Sequence, residues 1–371
     1  MPSKLVCKQC GEQIWGECVT ALGANWHPQH FVCAGCGKPI SGARFQIDKN
    51  APYHIECYRD KVAPRCTYCG KPLVGQYSLY EGKPYHDECY REHVALRCAH
   101  CGKPLVGQYQ RYEGVPYHEQ CFRDYVAPRC AYCRKPLIGE YLVDHWGTKY
   151  CKEHQGQYPK CAYCGRLVPS PQQESSAKRN NDVHCPICGA SAIESDDKAQ
   201  AIFAGQQRWL ASQGLAYNNL QPSVELCDRP KLTTLMQGRK GTDTLGVTLS
   251  TTHTLNGQAI RTDVNGVAVL RGLPITLFQG VVVHELGHVW LIVHGVKGLP
   301  SWAEEGFCEL LAHRFYTGIG TAEARYHAEA IEKNPDEVYG GGFRRVRAIA
   351  DAMGFARFVE VLQRTKRLPS L

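Results

Sequence analysis

Three near-identical blocks beginning at Cys66, Cys98 and Cys130 recur every 32 residues, each joining a Cys-x-x-Cys pair to a Lys-Pro-Leu run. A fixed period of this size means one small unit copied in series. Each copy ends in a second pair of metal-type side chains: His86 with Cys89, His118 with Cys121, and Cys151 with His154. Thiolates two residues apart converge on one tetrahedral ion, so the pattern reads as structural zinc rather than disulfides. The first ten residues lack the charged start and apolar stretch of a secretory signal. Reduced thiols and no such signal lead us to expect a cytoplasmic chain.

The stretch before these repeats is denser. Cys7, Cys10, His27 and His30 are followed after two residues by Cys33, Cys36, His54 and Cys57. Two four-ligand sites with so short a spacer resemble a LIM domain, and Trp26 to Cys33 carries residues typical of that family. The later copies have eight residues between sites and look like single LIM-type fingers. A last cluster, Cys161, Cys164, Cys185 and Cys188, closes the array across a polar stretch, 169–182, expected to be a flexible loop. His184 competes with Cys185 for the last site, although Cys185-Pro-Ile-Cys188 has the better spacing.

Six sites need 24 ligands, and these residues supply 18 cysteines and six histidines, leaving only Cys18 unassigned among the N-terminal cysteines. Units this small bury little core, so metal must supply much of their folding free energy, about 10 kcal/mol or more per site. Tyr77, Tyr109 and Tyr141 recur at one position, as do Tyr85 and Tyr117, and are expected to pack between repeats. The formal charge of +8 falls to about +4 once thiolates and zinc are counted. Nucleic acid is therefore disfavoured as a partner. No apolar run is expected to approach membrane-spanning length.

The second half changes character. Residues 196–214 read as an amphipathic helix, 224–227, 245–249 and 267–270 as strands, and Asn256-Gly257 and Asn265-Gly266 as turns. Residues 275–294 read as a helix carrying His284-Glu285-Leu286-Gly287-His288. Side chains four apart share a helix face, so His284 and His288 can reach one catalytic zinc while Glu285 flanks its water. Zinc lowers that water's pKa, and Glu285 can take the proton and later pass it to the leaving amine.

Downstream, Trp302-Ala-Glu-Glu-Gly-Phe-Cys308 resembles the Trp-x-Asn-Glu-Gly-Phe-Ala segment of Glu-zincin peptidases. That resemblance makes Glu305 the third metal ligand, with Glu304, where Asn is usual, as the alternative. Glu309, one turn on, would hold His284 in its metal-binding tautomer. Tyr339, with His327 and Arg344 behind it, is the candidate donor to the tetrahedral oxyanion, its alternative role being helix-start packing. His294 and His313 are expected on helix surfaces, and Cys308 in the core. The strand at 267–270 is expected to offer a sheet edge to extended peptide, as in related peptidases.

The order of these parts, together with Leu270-Arg-Gly-Leu-Pro274 and Tyr339-Gly-Gly-Gly-Phe-Arg344, resembles the plant LIM-domain peptidases that limit organ growth within the ubiquitin pathway. It implies a latent, ubiquitin-responsive zinc peptidase acting on regulatory proteins. Those proteins carry ubiquitin-interacting helices ahead of the LIM domain, so here ubiquitin contact would fall to the zinc array or be absent. A compact bacterial relative fits the same pattern.

The expected architecture is α+β: a LIM domain at 1–60, three LIM-like repeats at 61–158, a zinc-ribbon-like module at 159–192, and a Glu-zincin-like metallopeptidase domain at 193–371. The expected function is a zinc endopeptidase acting on protein substrates, with one catalytic and about six structural zinc ions. The array would bind substrate or regulator, or restrain the site. A LIM scaffold with an inactive peptidase domain and a DNA-associated protease are the competing readings.

Overall fold

The computed structural model describes residues 5–42, 44–169, 183–217, 220–236, 244–256 and 258–369. The loop expected at 169–182 lies outside them from residue 170 onward, as does Gly257 of the Asn256-Gly257 turn. The chain forms two compact units, Met1–Ala127 and Pro128–Leu371. The division falls inside the 61–158 repeat series, because the third repeat packs with the C-terminal half. Leu167 shares a small buried cluster with Cys130, Leu137 and Tyr150 of that repeat, and Trp146 packs against the large core.

The first unit is built from two-stranded hairpins such as Val19–Ala21 with Ala24–Trp26 and Ser78–Tyr80 with Lys83–Tyr85. Its buried clusters are tiny: Phe31, Cys33 and Ile40 in one module, Cys66, Leu73 and Tyr85 in another. Tyr77 and Tyr109 do not pack between repeats as expected. They are exposed, and Tyr85 fills the core of its own finger instead.

In the second unit the main elements are α1 (Asp196–Ser212), β1 (Val224–Cys227), α2 (Arg229–Leu235), β2 (Gly246–Leu255), β3 (Gln258–Leu270), α3 (Ile275–Val293), α4 (Ser301–Ile319), α5 (Ala322–Lys333), α6 (Gly340–Met353) and α7 (Phe355–Thr365). Ser195 caps α1 and Thr321 caps α5 through side-chain oxygens that accept from Lys198 and Ala324 N–H. Prolines 274 and 300 immediately precede α3 and α4.

The sheet runs β1-β3-β2, with β1 parallel and β2 antiparallel to β3. This corrects two sequence expectations. Residues 267–270 belong to the central strand, paired on both sides, so the sheet edges belong to β1 and β2 instead. Asn265-Gly266 is not a turn: both residues lie within β3, where Gly266, at φ +148°, sits at a register shift opposite Leu249 and Ser250.

α3 corrects a third expectation. It is 19 residues long with mean hydropathy 1.3, which meets the length and composition of a membrane span. Its apolar side chains are instead spent on the core, where Phe278, Val282, Leu286 and Trp290 are fully buried beside Phe203, Phe307 and Phe358. The loop before α3 is stitched to the preceding cysteine module, since Ile193 N–H donates to Leu273 O and Gly272 N–H to Ile193 O, both at 2.9 Å.

The triple glycine at 340–342 lets α6 cross α4 closely. A Cβ on Gly342 would fall on the Trp302 carbonyl, which is backbone and cannot step aside. Gly342→Ala is therefore expected to cost about 1–3 kcal/mol or more, read as a lower denaturant midpoint with an unchanged slope.

Candidate metal centres

The ligand sets expected in the array come together. Cys7, Cys10, His27 and His30 form one cluster and Cys33, Cys36, His54 and Cys57 the next, each with all ligand atoms within 4.8 Å of one another. The same holds for Cys66, Cys69, His86 and Cys89, for Cys98, Cys101, His118 and Cys121, and for Cys130, Cys133, Cys151 and His154. In the last module all four cysteines are buried, with Cys164 and Cys185 sulfurs 3.5 Å apart. His184 lies against the Tyr163 ring at 4.5 Å. All 21 cysteines are free thiols.

A detail invisible in the spacing fixes the histidine tautomers. His54, His86 and His118 aim Nδ1 at a ligand sulfur at 3.3–3.4 Å. Their Nε2 atoms meet the carbonyls of Pro39, Pro72 and Pro104 at 3.2–3.3 Å. Holding the proton on Nε2 leaves Nδ1 free for metal, which gives the recurrent Lys-Pro a chemical role. His154 reverses this: its Nδ1 meets Gln157 Oε1 at 3.1 Å, leaving the buried Nε2 for the ion.

A seventh constellation lies where α3 faces α4. His284 and His288 occupy one face of α3, with ring centroids 5.1 Å apart. Their Nε2 atoms approach the same oxygen of Glu305, Oε2, at 3.2 and 3.5 Å. Each Nδ1 faces a different carboxylate: Glu309 at 3.5 Å for His284, and Glu304 at 3.2 Å for His288. Glu304, the alternative ligand, thus stands behind His288 and not beside Glu305. Burial pushes the Glu305 carboxyl up, but hydrogen bonds from the two histidines outweigh it and hold it well below the carboxylate range. Burial pushes Glu309 up.

Glu285 is 6% exposed, and its Oε2 accepts from Thr248 Oγ1 on β2 at 2.8 Å. A Cβ on neighbouring Gly246 would come within 2.8 Å of Val281 Cγ1 and 3.0–3.1 Å of Glu285 Cγ and Oε1, so a larger residue there would press on both side chains. Neither partner was legible in sequence, because contact across 37 residues arises from the sheet packing on α3. An open cleft of about 650 Å³ contains this group, and Thr248, His327 and Tyr339 line it. Tyr339 precedes α6 and is 37% exposed, and burial pushes its phenol up to about 12. Arg344 is elsewhere, tying the α5–α6 loop through the carbonyls of Glu332 and Asn334.

His294 and His313 are not on helix surfaces as expected. They are 8% and 6% exposed, bonded to Ala216 O at 2.8 Å and Glu332 Oε1 at 2.9 Å. Cys308 is fully buried, and burial pushes its thiol up to about 12.

Residues 7–62 and, in an overlapping frame, 33–94 match the LIM domain family, and residues 212–322 match the family described as Protein DA1. The chain is 22% identical to Protein DA1 of Arabidopsis thaliana over 425 aligned positions, covering 98% of this chain and 68% of the relative. Residues 212–322 are thus a DA1-like domain. Protein DA1-related 1 of the same plant is 23% identical, with 99% and 66% covered. The LIM domain-containing protein HDR3 of Oryza sativa subsp. japonica is 24% identical, with 83% and 55% covered. The chain thus spans between about half and two thirds of those relatives' lengths. Tandem LIM modules followed by a DA1-like domain of mixed helix and strand are its architecture, and the Cys/His clusters suit zinc.

Proposed function

We propose that the DA1-like domain is a zinc-dependent endopeptidase. The observation that carries this is the approach of two imidazole Nε2 atoms to one carboxylate oxygen, Glu305 Oε2, in an open cleft beside a buried carboxylate, Glu285. Two nitrogens and one oxygen fit a zinc site that keeps a position open. When bound there, zinc supplies Lewis acidity toward a water and a peptide carbonyl. Glu309 and Glu304 accept the Nδ1 protons, which orients both imidazoles and keeps Nε2 free. Thr248 holds Glu285 Oε2, leaving Oε1 to accept a proton from water and release it to the departing amine. Tyr339 stays protonated at neutral pH and is the candidate donor to the carbonyl oxygen.

The free edge of β2, with Gly246 and Thr248 lining the cleft, can pair with extended backbone, so we take unfolded protein segments as substrate. We assign the zinc array the docking of substrate or of a regulator, ubiquitin included, and place the protein in the cytoplasm on the strength of its free thiols. The test is to incubate reduced, denatured casein with the zinc-loaded chain and with its His284→Ala variant, and identify new N-termini by mass spectrometry. Cleavage is expected from the first and none from the second; equal cleavage, or none from either, overturns the reading.

A further inference from the structure

The third finger meets α5 through Trp146 and its neighbour His145, which also faces Glu329 at 3.9 Å. Trp146 lies in the turn between Leu142–Val143 and Lys149–Tyr150, where Asp144 Oδ1 accepts from the backbone N–H groups of Trp146 and Thr148 at 2.9 and 2.8 Å. Its indole is held from several directions. Nε1 donates to the Cys164 carbonyl at 2.9 Å, and the Arg166 guanidinium lies 3.6 Å from the ring centroid. Tyr326 of α5 packs against the same indole, with centroids 5.3 Å apart. His145 meets Tyr326 edge-on at 5.2 Å, and a Cβ on Gly165 would sit 2.8 Å from the Tyr326 hydroxyl. Two separate metal modules therefore grip one side chain of α5.

α5 needs such support. Only Ala324 and Ala328 of its 12 residues are buried, and its polar ties to α4 and α6 gather at Glu332 near its C-terminal end, which leaves the turn around Tyr326 to the finger contacts. The residue after Tyr326 is His327, which lines the cleft with Ala330 and Ile331 and packs on Tyr316 at 5.3 Å. Burial pulls His327 down to about 4, so at neutral pH it is uncharged and offers one N–H.

We propose that Trp146 and Tyr326 are positioning residues through which the third finger and the four-cysteine module hold α5, and with it His327, at the wall of the cleft. The placement stands on contacts alone; only its effect on turnover rests on the peptidase reading.

Hydrogen exchange on the full, zinc-loaded chain tests the placement. Trp146→Ala and Tyr326→Ala cut the same contact from opposite sides, so a fold defect in one leaves the other informative. Each is expected to speed exchange of α5 amides at least about tenfold, with α3, α4 and zinc content unchanged, while Tyr326→Phe stays near wild type. Casein turnover supplies the second arm. Trp146→Ala is expected to raise KM with kcat near wild type, and adding His327→Ala to raise it no further than His327→Ala does alone. Unchanged α5 exchange in both contact-cutting variants, or KM effects that multiply, overturns the proposal. A wild-type chain that leaves casein intact removes the peptidase reading, and the exchange arm still decides the placement.

Discussion

Glu285→Gln is expected to slow peptide hydrolysis by about 10²–10⁴-fold, the usual weight of a positioned general base, while zinc content and melting temperature stay at wild type. The amide has the same shape and still offers an oxygen to Thr248 Oγ1, which lies 2.8 Å from the native carboxylate. What it loses is the capacity to take a proton. The metal ligands are untouched, because Nε2 of both histidines faces Glu305 and not Glu285. Initial rates on casein, measured alongside zinc content, check this. An undiminished rate in the variant would remove Glu285 from the mechanism.

Stripping metal with a strong chelator is expected to unfold the Met1–Ala127 unit and spare the helices of Pro128–Leu371. Binding at a structural zinc site is worth about 10–16 kcal/mol, whereas each module's own core is a handful of side chains, such as Phe31, Cys33 and Ile40. The second unit has a continuous core running from Phe203 through Trp290 to Phe358, large enough to hold α1, α3 and α4 even when the four-cysteine module at its border loses its ion. Limited proteolysis of the chelated chain should therefore cut first within residues 5–127 and last within α1, α3 and α4. Cuts spread evenly along the chain would contradict the division of stabilising forces between the two units.

The ease with which parts of this molecule were read from sequence follows the range of the interactions. Cys66 with Cys69, or His284 with His288, are local pairs whose spacing matches the backbone geometry that presents them, so spacing alone locates them. The helix at 275–293 announces itself by apolar periodicity. Asn265-Gly266 misled because a bulge inside a strand uses the same residue types as a turn. Sequence alone places the sheet edge at 267–270, since chain order cannot tell a central strand from an outer one. Sequence places His294 and His313 at the surface because their partners, the Ala216 carbonyl and Glu332, are distant in sequence or on another helix. Thr248 against Glu285, and Trp146 against Tyr326, are purely tertiary and carry no local signature.

The proposed activity requires His284, His288 and Glu305 to share one ion. Native mass spectrometry of the intact chain measures this directly, comparing wild type with the His284→Ala, His288→Ala double variant. The double variant is expected to carry one zinc fewer per chain and to cleave nothing; an identical zinc count in the two proteins would contradict a metal site between α3 and α4.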